Sequence, residues 1–230
     1  MSAIVCFDIR NFSTHVSHLV AGNQGKSKRV FEVVKELFQS LDNVIRLTQS
    51  KFDFQEKTYV VHTGDGFVAI FYGKGKCLQA LSVACVIGND FSKIINIYNS
   101  DMKKEASLRN LPPLDYGIGI HIGAVQYFNY QPVYSSDSRT QSIGLLGHAI
   151  NLASRVQDTT KEHVYRIICT RRVFTDSISR IDEEHRGKID RYFIDLGKHK
   201  LRGMRRPVTL YGVDGHLYEY IKREIPPRQN

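Results

Sequence analysis

An α+β fold is what this chain predicts, and three features of its pattern predict it. Short runs rich in β-branched and aromatic residues, at positions 2–7, 57–63, 67–71 and 116–122, read as strands. Apolar residues at helical spacing read as two long helices, one over 26–48 and one from 76 towards 98. These segments follow one another as strand, helix, strand, strand, helix, strand, the order of one sheet with its helices on one face.

The first strand runs into Asp8, and a polar, glycine-containing connection over 13–28 follows it. In the first long helix Val30, Phe31, Val33, Val34, Leu37, Phe38, Leu41, Val44 and Ile45 recur at helical spacing. The strands at 57–63 and 67–71 are joined by Gly64-Asp65-Gly66, a hairpin signal. The second helix carries Ala80, Val83, Ala84 and Ile87, and Pro112-Pro113 punctuates the chain before the next strand. There Ile118, Ile120 and Ile122 point one way, with Gly117, Gly119, His121 and Gly123 opposite. An extended piece at 124–128 precedes a polar insertion loop over 131–142. A helix at 147–157, a strand at 164–170, a short helix at 172–179 and strands at 190–196 and 208–213 complete the chain. The expected architecture is therefore a ferredoxin-like βαββαβ sheet with an extra C-terminal helix and strands, in a single domain over residues 1–230.

Composition narrows the class. With 230 residues, 42% hydrophobic and 24% charged, the chain can build a proper core. Uninterrupted apolar runs are only a few residues long, so neither a membrane span nor a secretory leader is expected. Cys6, Cys77, Cys85 and Cys169 show no CxxC spacing and read as buried thiols in a reducing compartment, which implies a cytoplasmic protein. A formal charge of +9 favours polyanionic partners or simple solubility, and it gathers at 171–172, 186–188, 198–206 and 222–228.

Few residues are placed to do chemistry. Asp8 closes an apolar strand and Asp65 sits in the hairpin turn of its expected sheet neighbours, so the two carboxylates meet. Such a pair repels unless a cation lies between them, and hard oxygen donors suit Mg²⁺ or Mn²⁺. A turn cap and a turn residue would leave the same trace. Asn151 and Arg155 lie four apart on one helix, as a phosphate- and ribose-facing pair or as a solvated stripe. The run 198–206 offers phosphate contacts or plain surface charge. Nine histidines without HxxxH or HExxH spacing, and no GxxxxGK[ST] or GxSxG, remove zinc-enzyme, P-loop and hydrolase-elbow readings.

Five blocks carry a resemblance to one family. Phe7-Asp8-Ile9-Arg10-Asn11-Phe12-Ser13 resembles the FxDIxGFT strand and loop of class III nucleotidyl cyclases. Residues 64–71, GDGFVAIF, resemble their GDxxMAxF hairpin, and residues 116–125, YGIGIHIGAV, their RIGIHxGxV strand. Residues 147–155, GHAINLASR, match the GxxVNxAxR helix, and Leu201-Arg202-Gly203 with Pro207-Val208-Thr209-Leu210-Tyr211 match the closing strand. The blocks occur in family order along nearly the whole chain.

The resemblance implies metal binding by Asp8, Asp65 and the Ile9 carbonyl, with two Mg²⁺ or Mn²⁺ ions per site. It implies ribose orientation by Asn151, charge stabilisation on the α-phosphate by Arg155, and triphosphate contacts by Arg202 and Lys200. In the family these groups come from opposite subunits, which implies a head-to-tail homodimer with two equivalent sites. The base-reading positions depart from the pattern: Val61 and Gly144 stand where purine cyclases carry polar readers. Tyr59 shares a strand face with Val61 and would narrow the pocket for a smaller ring, or simply pack in the core. The chain thus looks most like the pyrimidine cyclases of the bacterial Pycsar antiphage system, whose product activates a separate cyclic-nucleotide-binding effector. The expected reaction is UTP to 3′,5′-cyclic UMP and pyrophosphate, with cyclic CMP next and adenylate or guanylate cyclisation after it. A basic ferredoxin-like RNA-binding module is the reading from another class; the acidic pair opposes it, and no nucleic-acid partner is expected.

Overall fold

The computed structural model describes residues 1–22, 24–52, 58–104, 109–130 and 142–224. The chain opens with β1 (Ser2–Arg10), α1 (Phe12–Gly22), α2 (Gln24–Phe52), β2 (Tyr59–His62), β3 (Gly66–Phe71), α3 (Lys76–Lys104) and β4 (Asp115–Gly123). A separate hairpin, β5 (Gln126–Tyr130) with β6 (Ser142–Leu146), leads into α4 (His148–Thr159). Then come β7 (Ile167–Thr170), α5 (Arg171–Ser179), α6 (Glu183–Ile189), β8 (Phe193–His199), β9 (Val208–Val213) and α7 (Leu217–Glu224). One seven-stranded sheet runs β2-β3-β1-β4-β7-β9-β8, antiparallel except where β4 meets β7. The first four strands keep the ferredoxin-like order expected from the pattern.

Alternation along β1 divides the core in two. Ala3, Val5, Phe7 and Ile9 face the large cluster with Phe67, Phe71 and Ile118–Ile122 alternates, beneath Leu37 and Leu41 of α2 and Leu81 and Phe91 of α3. Phe7 anchors it, stacked 5.2 Å from Phe67 and 5.6 Å from Tyr116, with Phe91 edge-on at 5.2 Å. Ile4 and Cys6 face the other way, against Ala149 and Ala153 of α4, and Leu152 and Val156 of the same helix meet Ile168, Leu201 and Leu210.

Helices therefore cover both faces, not one. The reason lies in the glycines of β4: a methyl at Gly119 would overlap the Gln157 amide and the Ala153 carbonyl, and one at Gly123 would overlap Ala149. Without side chains there, the α4 backbone lies directly on the sheet.

Other differences have similar causes. Part of the connection expected at 13–28 is helix α1, held by tertiary contacts: His15, 1% exposed, bonds the Tyr98 hydroxyl at 3.0 Å and the Pro112 carbonyl at 2.6 Å. Strand β6 occupies the end of the segment read as an insertion loop; positions 131–141 lie outside the described residues. Helices α6 and α7 lie in charge-rich sequence but bury Ile189, Leu217, Tyr220 and Ile221. The late strand begins at Phe193, after a short 3₁₀ turn, and carries a bulge where Gly197 takes a φ of 80°. Contrary to the reading from run lengths, α3 is long and apolar enough to cross a membrane; more than half of its apolar window is buried inside the fold, as in a core helix. All four cysteines are free and buried, as expected.

The flush packing of α4 is testable. Gly119→Ala should cost about 2–3 kcal/mol of unfolding free energy by overpacking. Gly187→Ala, on a helix where a methyl meets nothing within 4 Å, should gain about 0.5–1 kcal/mol. Denaturant unfolding of both variants measures the contrast.

Candidate active site

Asp8 lies near the end of β1 on the α4 face, in register with Gly66 of β3. The β2–β3 turn places Asp65 beside it. Gly64 supplies the left-handed step with a φ of 90°, and the Thr63 amide donates to the Gly66 carbonyl at 2.9 Å. A side chain at Gly66 would overlap the Phe7 carbonyl, so the hairpin can close on β1 only with glycine there. The Ile9 amide then donates to the Asp65 carbonyl at 3.3 Å, tying the turn to the residue after Asp8.

The pair is electrostatically uncompensated. Burial first, and then the Asp65 charge, push the Asp8 carboxyl up from 3.8 to about 6. Asp158 adds to the rise, and Lys161 and Arg10 oppose it. Both cations are otherwise engaged: Lys161 bonds Asp158 at 2.7 Å, and Arg10 bonds Asp115 at 2.7 Å and the Thr160 hydroxyl. Asp115 also accepts from Arg166 at 2.6 Å, so it clamps β1 to the approach of β7. Two half-exposed carboxylates without a dedicated cation form a donor set that fits a hard divalent ion. Among the described residues no cluster of three or more metal-ligating side chains occurs. Any ion held here would complete its shell from backbone carbonyl, water and ligand phosphate, as Mg²⁺ commonly does.

A second cluster sits on α4. Asn151 is exposed and Arg155 half-buried, one turn further along. The Arg155 guanidinium lies 3.2 Å from where a Gly203 methyl would project, under the turn that joins β8 to β9. Leu201 anchors that turn in the core against Leu152 and Val156, and Gly203 adopts a φ of 70°. Arg202 stays exposed, and Lys200 donates to the Arg205 carbonyl at 3.4 Å. Asn151, Arg155, Lys200 and Arg202 thus belong to one basic surface. Arg155, Lys200 and Arg202 are not among the charges that act on Asp8, so this basic surface does not compensate the acidic pair within the single chain.

The residues expected to meet a base are part of an aromatic surface. Tyr59 stacks on Tyr127 of β5 at 5.5 Å and meets Tyr72 edge-on at 5.7 Å, while Val61 is half-buried on the same strand face. Gly144 pairs with Phe128, and a side chain at 144 would overlap the Phe128 ring. Phe128 was invisible to the sequence reading, because only the β5–β6 pairing brings its ring over that glycine. The available signal is the cluster of rings at Tyr127, Phe128 and Tyr130.

The chain aligns with the adenylyl cyclase CyaB from P. aeruginosa at 15% identity and a TM-score of 0.62, covering 93% of each chain. It aligns with the guanylyl cyclase Cya2 at 17% identity and a TM-score of 0.63, over 92% of this chain and 90% of that one. The guanylate cyclase domain of RhGC from Catenaria anguillulae, solved with GTP, aligns at 17% identity and a TM-score of 0.56, over 93% and 96%. The fold is that of a cyclase catalytic domain. No family model and no curated protein matches the chain.

In that fold the raised Asp8 pKa has a thermodynamic consequence. The native chain holds this proton more tightly than the unfolded chain, so the contribution to stability is full below about pH 4 and falls as pH rises to about 6. Asp8→Asn should flatten that fall. Saturating Mn²⁺ should raise the unfolding midpoint above about pH 6 and leave it unchanged below about pH 4. Thermal unfolding across this range reads both effects.

Proposed function

We propose that the chain is a cytoplasmic, homodimeric nucleotidyl cyclase that converts UTP to 3′,5′-cyclic UMP and pyrophosphate. The observation that carries this reading is the uncompensated Asp8–Asp65 pair on a cyclase catalytic fold. Asp8, Asp65 and the Ile9 carbonyl would hold two Mg²⁺ or Mn²⁺ ions. Bound there, such ions acidify a ribose 3′-hydroxyl and neutralise charge on departing pyrophosphate.

The chain's other residues bind and orient. Asn151 holds the ribose, so that its 3′-oxygen faces the α-phosphorus. Arg155 accommodates the charge that gathers on the α-phosphate as the new P–O bond forms and the bond to the bridging oxygen breaks. The 3′ proton leaves to solvent. Lys200 and Arg202 hold the β- and γ-phosphates and retain their charge as pyrophosphate separates. The basic surface does not compensate the acidic pair within one chain, and a head-to-tail pair would bring one protomer's Asp8 and Asp65 to the partner copy's α4. Two equivalent sites follow from that symmetry.

Base choice rests on what the surface lacks. Val61 and Gly144 present no side-chain donor or acceptor, and Tyr59, Tyr127 and Phe128 add bulk. That combination favours a small ring held by stacking over a purine read by its edge. Cyclic CMP is served by the same surface, and the identified product decides between the two. The proposed role is that of a second-messenger synthase in antiphage defence, with a separate effector that binds the product.

Incubation with Mn²⁺ and each of the four ribonucleoside triphosphates, followed by mass spectrometry, should yield a cyclic pyrimidine nucleotide. A cyclic purine product would overturn the base assignment, and no product from any nucleotide would overturn the cyclase reading. Asp8→Ala and Asp65→Ala should each lower turnover at least about a hundredfold. Tyr59→Ala or Phe128→Ala should shift the ratio of kcat/KM towards ATP and GTP; an unchanged ratio removes that ring from selection. Mixing Asp8→Ala chains with Arg155→Ala chains should restore up to about a quarter of wild-type activity, because half of the random dimers regain one intact site.

A further inference from the structure

The end of α4 remote from Asp8 borders a cavity of about 420 Å³. His121 of β4, Gln126, Leu146, His148 and Ala149 at the start of α4, and Arg172 of α5 are among its walls. None of the expected site residues lines it, and no carboxylate does. Two imidazoles and a guanidinium therefore converge on a space otherwise walled by Gln126, glycines and apolar side chains.

Two further features make this a built site. Gly147 stands at the N-cap of α4 and has no side chain with which to cap it, so the first amides of the helix lack a side-chain acceptor. His121 is only 6% exposed, and its Nδ1 lies 3.0 Å from the buried Thr170 hydroxyl. Among the described residues its Nε2 has no hydrogen-bond partner, although the ring borders the cavity. In the tautomer where the Thr170 hydroxyl donates to Nδ1, the neutral ring carries its proton on Nε2 and presents a donor to the cavity. Burial, then Arg172 and His148, push the His121 pKa down to about 4, so the ring is neutral at physiological pH. A ring nitrogen at the cavity wall, a guanidinium and a helix start without a side-chain cap can each take an acceptor with negative charge.

We propose that this cavity binds a small organic oxyanion: a phosphate or carboxylate group facing Arg172, His121 and the start of α4, on a body packed by Leu146 and Ala149. The site is distinct from the triphosphate surface of Lys200 and Arg202, and binding here does not depend on the reaction proposed above. Its place on α4 puts it one turn ahead of Asn151, so an occupant would brace the helix that carries Asn151 and Arg155.

The test titrates the full-length protein, free of divalent ions, with inorganic phosphate and, separately, with acetate. Long-range proton–nitrogen spectra of the histidine rings and calorimetry report binding. Saturable movement of the buried His121 ring, with its pKa rising from about 4 towards the ordinary value, is the expected result. Arg172→Gln and His148→Gln alter exposed side chains, so they spare the fold, and Arg172→Gln should weaken binding at least about tenfold. Arg202→Gln should leave it unchanged. Saturation by phosphate alone identifies a phosphate ligand, and equal saturation by acetate identifies a carboxylate. No saturable shift with either anion would overturn the proposal, as would binding lost in Arg202→Gln and retained in Arg172→Gln.

Discussion

The contact between α4 and the glycine side of β4 governs most of the rest. Because Gly117, Gly119 and Gly123 carry no side chains, the helix rests on the sheet at backbone distance, with Ala149 and Ala153 as its contact residues. That closeness fixes three things together. It sets Asp158 and Lys161 within electrostatic reach of Asp8, presents Asn151 and Arg155 outward, and leaves the cavity beneath the helix start. A single methyl at Gly119 would lift all of them.

Around Asp8 the chain accepts an electrostatic cost that folding alone does not require. A carboxylate desolvated on a strand and facing a second carboxylate destabilises the native state at neutral pH. Arg10 could answer it, yet its guanidinium is committed to Asp115 and Thr160. Strain of this kind concentrates where a ligand supplies the missing charge, and the sheet around it is rigid enough to bear it. The stacked rings of Phe7, Phe67 and Tyr116 lie immediately behind, on the opposite face.

The positive charge of the chain also acquires a distribution. Arg155, Lys200 and Arg202 gather at the β8–β9 turn, whereas Arg172 and His148 serve the far end of α4. The positive charge is therefore unevenly spread, with Arg155 and Arg202 at one place on the fold and Arg172 at another. The acidic pair lies at the end of α4 away from the second place.

Much of the fold was legible from local pattern. Short runs of β-branched and aromatic residues placed β1, β3, β4 and β9, with period-two alternation in β4; helical spacing placed α2 and α3, and Gly64-Asp65-Gly66 marked the hairpin that brings Asp65 to Asp8. These signals are local, because which face a side chain takes depends only on its neighbours in sequence. Glycine at 117, 119 and 123 was equally visible, but what fills the space above a glycine is a non-local fact. Only the tertiary structure set α4 there, laid the Phe128 ring over Gly144, turned His121 towards a cavity with Arg172, and left the acidic pair uncompensated by the basic surface within one chain. Helices α1, α6 and α7 escaped for the same reason: their stability comes from buried partners such as Tyr98 for His15, which no window of sequence contains.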